Sequence, residues 1–145
     1  MKEQFTDNEA TLILLLRKFD FLRNNGYRII ELVLHGTETY IVYKNFRINQ
    51  TIYIEWAPRN FLEIRIFRSN LFRNKEVNLN DIYRLYSDKN LSLTLKSMPD
   101  VIEYYSTFIK NGLMPIIKGE TWLDNIEKKT KLAKLKNIYF AKIFK

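Results

Sequence analysis

Cysteine is absent from the 145 residues, which removes disulfides, thiolate nucleophiles, zinc–thiolate sites and iron–sulfur clusters. Histidine occurs once, as His35 beside Gly36. One imidazole without thiolates does not build the usual zinc sites, and a serine–histidine triad would have only this base to draw on. His35 therefore reads as a surface residue at a turn. The four glycines, at 26, 36, 112 and 119, lie too far apart for a GxGxxG or phosphate-binding loop. Long apolar runs are missing too. The longest, Leu12 to Leu16, is followed at once by Arg17 and Lys18 and falls far short of the roughly 20 residues a membrane span requires. The opening MKEQFTDNEA puts acidic residues ahead of the hydrophobic stretch and offers no small-residue cleavage site. No secretory signal is expected, and the protein is expected in the cytoplasm.

What is present suits one domain, residues 1–145, because a hydrophobic content of 46% fills an ordinary core. The net charge of +8 is unevenly spread: residues 116–145 hold 8 basic against 3 acidic groups, whereas residues 1–60 hold 8 against 7. Thr6 and Glu9 have capping-box spacing, with Phe5 placed to staple onto Ala10. From there Leu12, Leu15, Leu16, Phe19 and Leu22 form one stripe of a helix that ends at Asn24-Asn25-Gly26. Tyr27 to Leu34, apolar at nearly every position, reads as a central strand buried on both faces.

Gly36-Thr37 predicts a two-residue hairpin turn into a strand from Thr39 to Lys44. Thr51 to Trp56 alternates apolar and polar residues. Pro58-Arg59-Asn60 then suits a hairpin loop whose register sets Trp56 opposite Leu62, Ile54 opposite Ile64 and Ile52 opposite Ile66. Val33, Tyr40 and Val42 are expected on that same apolar face. Residues 68–78 read as a polar, basic loop. A short helix carrying Leu79, Ile82, Tyr83 and Tyr86 follows. Next comes one capped by Ser97, with Val101, Ile102, Tyr105, Phe108 and Ile109 in its stripe, closed by Gly112 and kept from resuming by Pro115. A long helix starts at Thr121. The expected class is α+β: an N-terminal helix, a four-stranded antiparallel meander, then about three C-terminal helices packed mainly on one sheet face.

Two surfaces attract functional readings. On the second sheet face the register displays Ile41, Tyr43, Tyr53, Glu55, Glu63 and Arg65; Glu55 and Glu63 repel across the ladder and Arg65, diagonal to Glu55, relieves them. Tyr and Arg amid mixed charge are residues of protein contacts, so Tyr43, Tyr53, Glu55, Glu63 and Arg65 form the candidate partner-binding set. The alternative is that the C-terminal helices cover this face. The second surface is the lysine-rich end, Lys128, Lys129, Lys131, Lys134 and Lys136, which can lie along phosphates of a nucleic acid or simply face solvent. No catalytic residues, cofactor or metal are expected.

The leading helix ending FLRNNGY, strands containing IVYKN, TIYIEW and LEIRIF, a LNDIYRL helix and then IIKGETWL together resemble small single-domain bacterial immunity-type proteins found beside polymorphic toxins. The resemblance spans roughly residues 10–130 and rests on the order and spacing of elements, so no functional residue is carried over. It implies a non-catalytic protein that neutralises a cognate toxin by direct binding in the cytoplasm. The basic charge departs from the acidic character common among nuclease inhibitors, and favours a toxin with an acidic contact surface.

Overall fold

A computed structural model describes residues 7–58, 61–69, 74–79 and 97–120. Helix α1 (Asp7–Lys18) is followed by a turn and the short α2 (Phe21–Asn24). The predicted stripe faces inward: Leu15, Phe19 and Leu22 are fully buried, with Leu12 and Leu16 packed against them. The segment ends as its residues dictate. Gly26 adopts φ +91°, and the amides of Tyr27 and Gly26 donate to the carbonyls of Leu22 and Arg23 at 3.1 and 3.3 Å. This paired pattern closes a helix through one left-handed residue. Thr6 and Phe5, the expected cap and staple, lie outside the described residues.

Five antiparallel strands follow in simple meander order: β1 (Arg28–His35), β2 (Glu38–Asn45), β3 (Gln50–Ala57), β4 (Phe61–Ser69) and β5 (Asn74–Asn78). The β3–β4 register is the predicted one, with Ile52 opposite Ile66, Ile54 opposite Ile64 and Trp56 opposite Leu62. The Gly36-Thr37 turn is also as predicted, pairing His35 with Glu38.

Three expectations about the strands are corrected. First, β1 is an edge strand, and its residues are mostly exposed rather than buried on both faces. Its nearly continuous apolar run has another cause: the register to β2 shifts between Ile29 and Glu31, a β-bulge that inserts Ile30 and lets two successive isoleucines occupy an edge. Second, residues 74–78 of the expected loop form β5, in which Val77 sits opposite Ile66. Four of its five residues are polar, as an edge strand allows. Third, β2 presents the other parity to the core. Ile41 and Tyr43 pair with Ile54 and Ile52, while Tyr40 and Val42 pair with Glu55 and Tyr53 on the opposite face.

The described helices after β5 pack on the apolar face. Helix α3 (Met98–Phe108) is capped by Ser97, whose Oγ accepts from the Asp100 amide at 3.3 Å. It buries Val101, Ile102 and Tyr105, and Ile109 just beyond it is buried too. Gly112 does not end the helical path. A π-helical turn, Ile109–Leu113, leads into α4 (Met114–Ile117), with Pro115 in the first turn, where a missing N–H costs nothing. The stop comes at Gly119, φ +76°, where Gly119 and Glu120 donate back to Ile116 and Pro115.

A buried polar cluster ties this corner to the sheet. Tyr27 Oη donates to the Ile117 carbonyl at 2.8 Å, and Gln50 Nε2 donates to Tyr27 Oη at 2.7 Å and to the Ile116 carbonyl at 3.0 Å. Arg68 Nε donates to Gln50 Oε1 at 2.9 Å. The cluster gives each of these buried groups a partner, which is the condition for burying them without a net loss. The result is an α+β fold whose helices share one core with a single face of the sheet.

Candidate functional site

The opposite face is built by strand alternation. Val33, Tyr40, Glu55 and Glu63 form one row across the sheet, and Glu31, Val42, Tyr53, Arg65 and Asn78 form the next. Thr51, Phe67 and Glu76 lie in a third. The side chains of Tyr40, Tyr53, Glu55, Glu63 and Arg65 are all half-buried, so this face is open enough to touch a partner and ordered enough to be held in one shape.

Arg65 is its hub. The guanidinium lies 3.1 Å from Glu63, 3.6 Å from Glu55 and 3.7 Å from Glu76, and 5.3 Å above the Tyr53 ring. Nη2 donates to Glu63 Oε2 at 3.5 Å, while Nε stands at ion-pair distance from Oε1 with no hydrogen bond among the described residues, so the attraction there is mainly Coulombic. Single exposed pairs are worth about 0–1 kcal/mol; here three carboxylates and one ring share a cation, and each fixes it for the others. Asn78 Nδ2 donates at 2.7 Å to Glu63 Oε1, the oxygen that Arg65 Nε also approaches.

The second anchor is aromatic. Tyr40 and Tyr53 lie with ring centroids 5.2 Å apart, and Tyr40 Oη donates to Glu31 Oε1 at 2.8 Å. That hydrogen bond to a carboxylate raises the Tyr40 pKa above its ordinary value. Tyr53 is raised as well, first by burial and then by Glu55, with Arg65 opposing. Both phenols stay neutral donors across the physiological range. Glu31, Glu55, Glu63 and Glu76 against Arg65 leave the middle of this face acidic, with Arg28 and Lys44 at its Thr51 end, on a chain whose total charge is +8.

Of the residues predicted from sequence, Tyr53, Glu55, Glu63 and Arg65 stand together here, with Glu55 directly opposite Glu63. Tyr43 does not belong: it is 0% exposed and sits in the core with Ile41. ETYIVYKN is apolar or aromatic at both parities, so alternation alone could not choose its buried side. Tyr40, Glu31, Glu76 and Asn78 were missed. A Tyr at the position alternating with Ile41 was the available signal for Tyr40; Glu76 and Asn78 required β5, whose polar sequence gives none. His35 is exposed at its turn. Lys128, Lys129, Lys131, Lys134 and Lys136 lie outside the described residues. Among the described residues no three His, Cys, Asp or Glu side chains group to hold a metal ion; the middle of the carboxylate cluster is filled by a guanidinium. Comparison with protein-family models, with curated proteins and with solved structures finds no match for this chain.

Proposed function

We propose that the protein is a non-catalytic protein-binding module, an immunity-type protein that neutralises a bacterial toxin in the cytoplasm by direct contact through the open sheet face. The observation that carries this reading is the combination of Tyr40, Tyr53 and a pre-positioned Arg65 on one rigid, half-open surface. Tyr and Arg held in place before binding lose little conformational entropy when a partner arrives, which is why they dominate binding energy at interfaces.

The charge of the face favours one kind of partner surface. Three carboxylates surround the Arg65 guanidinium and Glu31 lies beyond them beside Tyr40, so a surface presenting Lys or Arg complements the middle of this face, the reverse of what the total charge of the chain suggests. A basic surface is what an enzyme acting on nucleic acid offers. Co-purification with the product of the adjacent gene is the direct test. Capture of a toxin domain, weakened by Tyr53→Ala and by Glu63→Lys, supports the reading; a neighbour with no toxin activity and no binding overturns it.

A further inference from the structure

At one end of the sheet an open cleft of about 780 Å³ is lined by Arg28, Arg47 and Lys118, with Phe46 and Glu120 among its walls. No ion pair engages these three cations among the described residues. They come from three separate elements: the first residue of β1, the β2–β3 turn, and the end of α4. Convergence of like charges from different parts of a chain costs repulsion, and an anion bound between them would relieve it.

Phe46 adds the second component. It is 63% exposed, the most exposed large hydrophobic side chain among the described residues, and Lys44 Nζ stands 4.9 Å from its ring centroid. A large apolar ring at the mouth of a cationic cleft has the chemistry of a stacking platform. The walls are also fixed in advance. Buried Asn45 donates to the Asn25 carbonyl at 3.2 Å and accepts from the Arg47 amide at 3.1 Å, and a Cβ on Gly26 would stand 3.1 Å from Asn45 Nδ2. The turn that carries Phe46 and Arg47 is thereby clamped to the end of α2.

We infer that this cleft binds a nucleoside phosphate, with Arg28, Arg47 and Lys118 on the phosphate and Phe46 under the base. The two arginines supply planar forks that match phosphate oxygens, and Lys118 supplies a point charge. Glu120, at the rim, accepts from a ribose hydroxyl or an exocyclic amine. The unit is either a free nucleotide or one residue of a single strand. Neither mode uses a glycine-rich loop, so the glycine spacing does not exclude it.

Amide NMR titration of the full chain tests this with three ligands: inorganic phosphate, AMP and a short oligo(dA). Saturable shifts at Gly26, Phe46, Arg47 and Lys118 are expected with AMP, weakened about tenfold or more by Arg47→Gln with Lys118→Gln. Phe46→Ala should weaken AMP about fivefold or more and leave phosphate unchanged. Tighter, steeply salt-dependent binding of oligo(dA) assigns the strand; equal affinity per nucleotide assigns the free nucleotide. Retained amide dispersion in each variant separates lost contacts from lost fold. Arg65→Gln, outside the cleft lining, should change none of these affinities. Absence of saturable shifts at millimolar ligand, or affinity undiminished in the double variant, overturns the site.

Discussion

Tyr40 and Tyr53 touch diagonally across the β2–β3 ladder, rings 5.2 Å apart and tilted by 31°, while their directly opposed partners are Glu55 and Val42. Diagonal neighbours on one face are within reach of aromatic side chains. The contact roofs Val42, which is only 8% exposed although it points away from the helices. The tyrosines are thus fixed to each other and to Glu31 and Arg65 before any partner arrives. Tyr53→Ala should reduce affinity for the captured toxin domain by about 2 kcal/mol, with thermal stability little changed. Tyr40→Ala and Tyr53→Ala should be less than additive, because each loss already releases the other ring. Calorimetric titration of the single and double variants measures both; additive effects would mean the rings act independently.

Tyr43 tests the parity of β2. Its side chain is buried and its hydroxyl has no hydrogen-bond partner among the described residues, an arrangement that leaves a desolvated donor uncompensated. Tyr43→Phe should therefore stabilise the fold by about 1 kcal/mol, and Tyr43→Ala should cost about 3 kcal/mol or more through the cavity it opens. Tyr40→Phe should leave stability unchanged. Urea unfolding distinguishes these, and a stability loss in Tyr43→Phe would point to a hidden partner for the hydroxyl.

These two tyrosines also show where the sequence was readable. β3 and β4 alternate cleanly, so their pairing followed from pattern alone and brought Glu55, Glu63, Tyr53 and Arg65 together. β2 is apolar at both parities, and only the ladder to β3, set by the turn of Phe46 to Asn49 with Asn49 at φ +50°, decides which side is buried. The edges were least legible: β1 hides its exposure behind a bulge, and β5 has only Val77 to mark it. Gln50 and Arg68 read as ordinary polar residues, since the carbonyl they share, that of Ile116, comes from 66 residues beyond Gln50.

Alkaline pH should destabilise the protein through two particular phenols. Burial pushes Tyr27 and Tyr43 from the ordinary 10.0 up to about 12. A group whose folded pKa is raised favours folding fully below its unfolded value, and that contribution is lost as pH climbs through the folded one. Stability should hold to about pH 10 and fall between 10 and 12. Of the nine tyrosines, these two should ionise late in a titration followed by tyrosinate absorbance, or only as the chain unfolds. Tyr27→Phe should remove one late proton; early ionisation of all nine would contradict the burial.

The glycines separate conformational need from space. Gly119 combines φ +76° with a position where a Cβ would stand 2.8 Å from Ile48 Cγ2 and 3.1 Å from its Cδ1. Ile48 is branched and sits in the turn that the Gln50 cluster fastens, so it has little room to yield. Gly119→Ala should cost about 2 kcal/mol or more. Gly36, at φ +60° with nothing near, pays only the backbone term, about 1 kcal/mol. Gly112, inside the π-helical turn, has neither constraint. Alanine there narrows the unfolded ensemble without strain and should stabilise by about 0.5 kcal/mol. Thermal melts of the three alanine variants should rank Gly112 above wild type, then Gly36, then Gly119. If Gly119→Ala melts with Gly36→Ala, then Ile48 moves aside and the α4 end is less firmly seated on the β2–β3 turn than the hydrogen bonds to Gln50 imply.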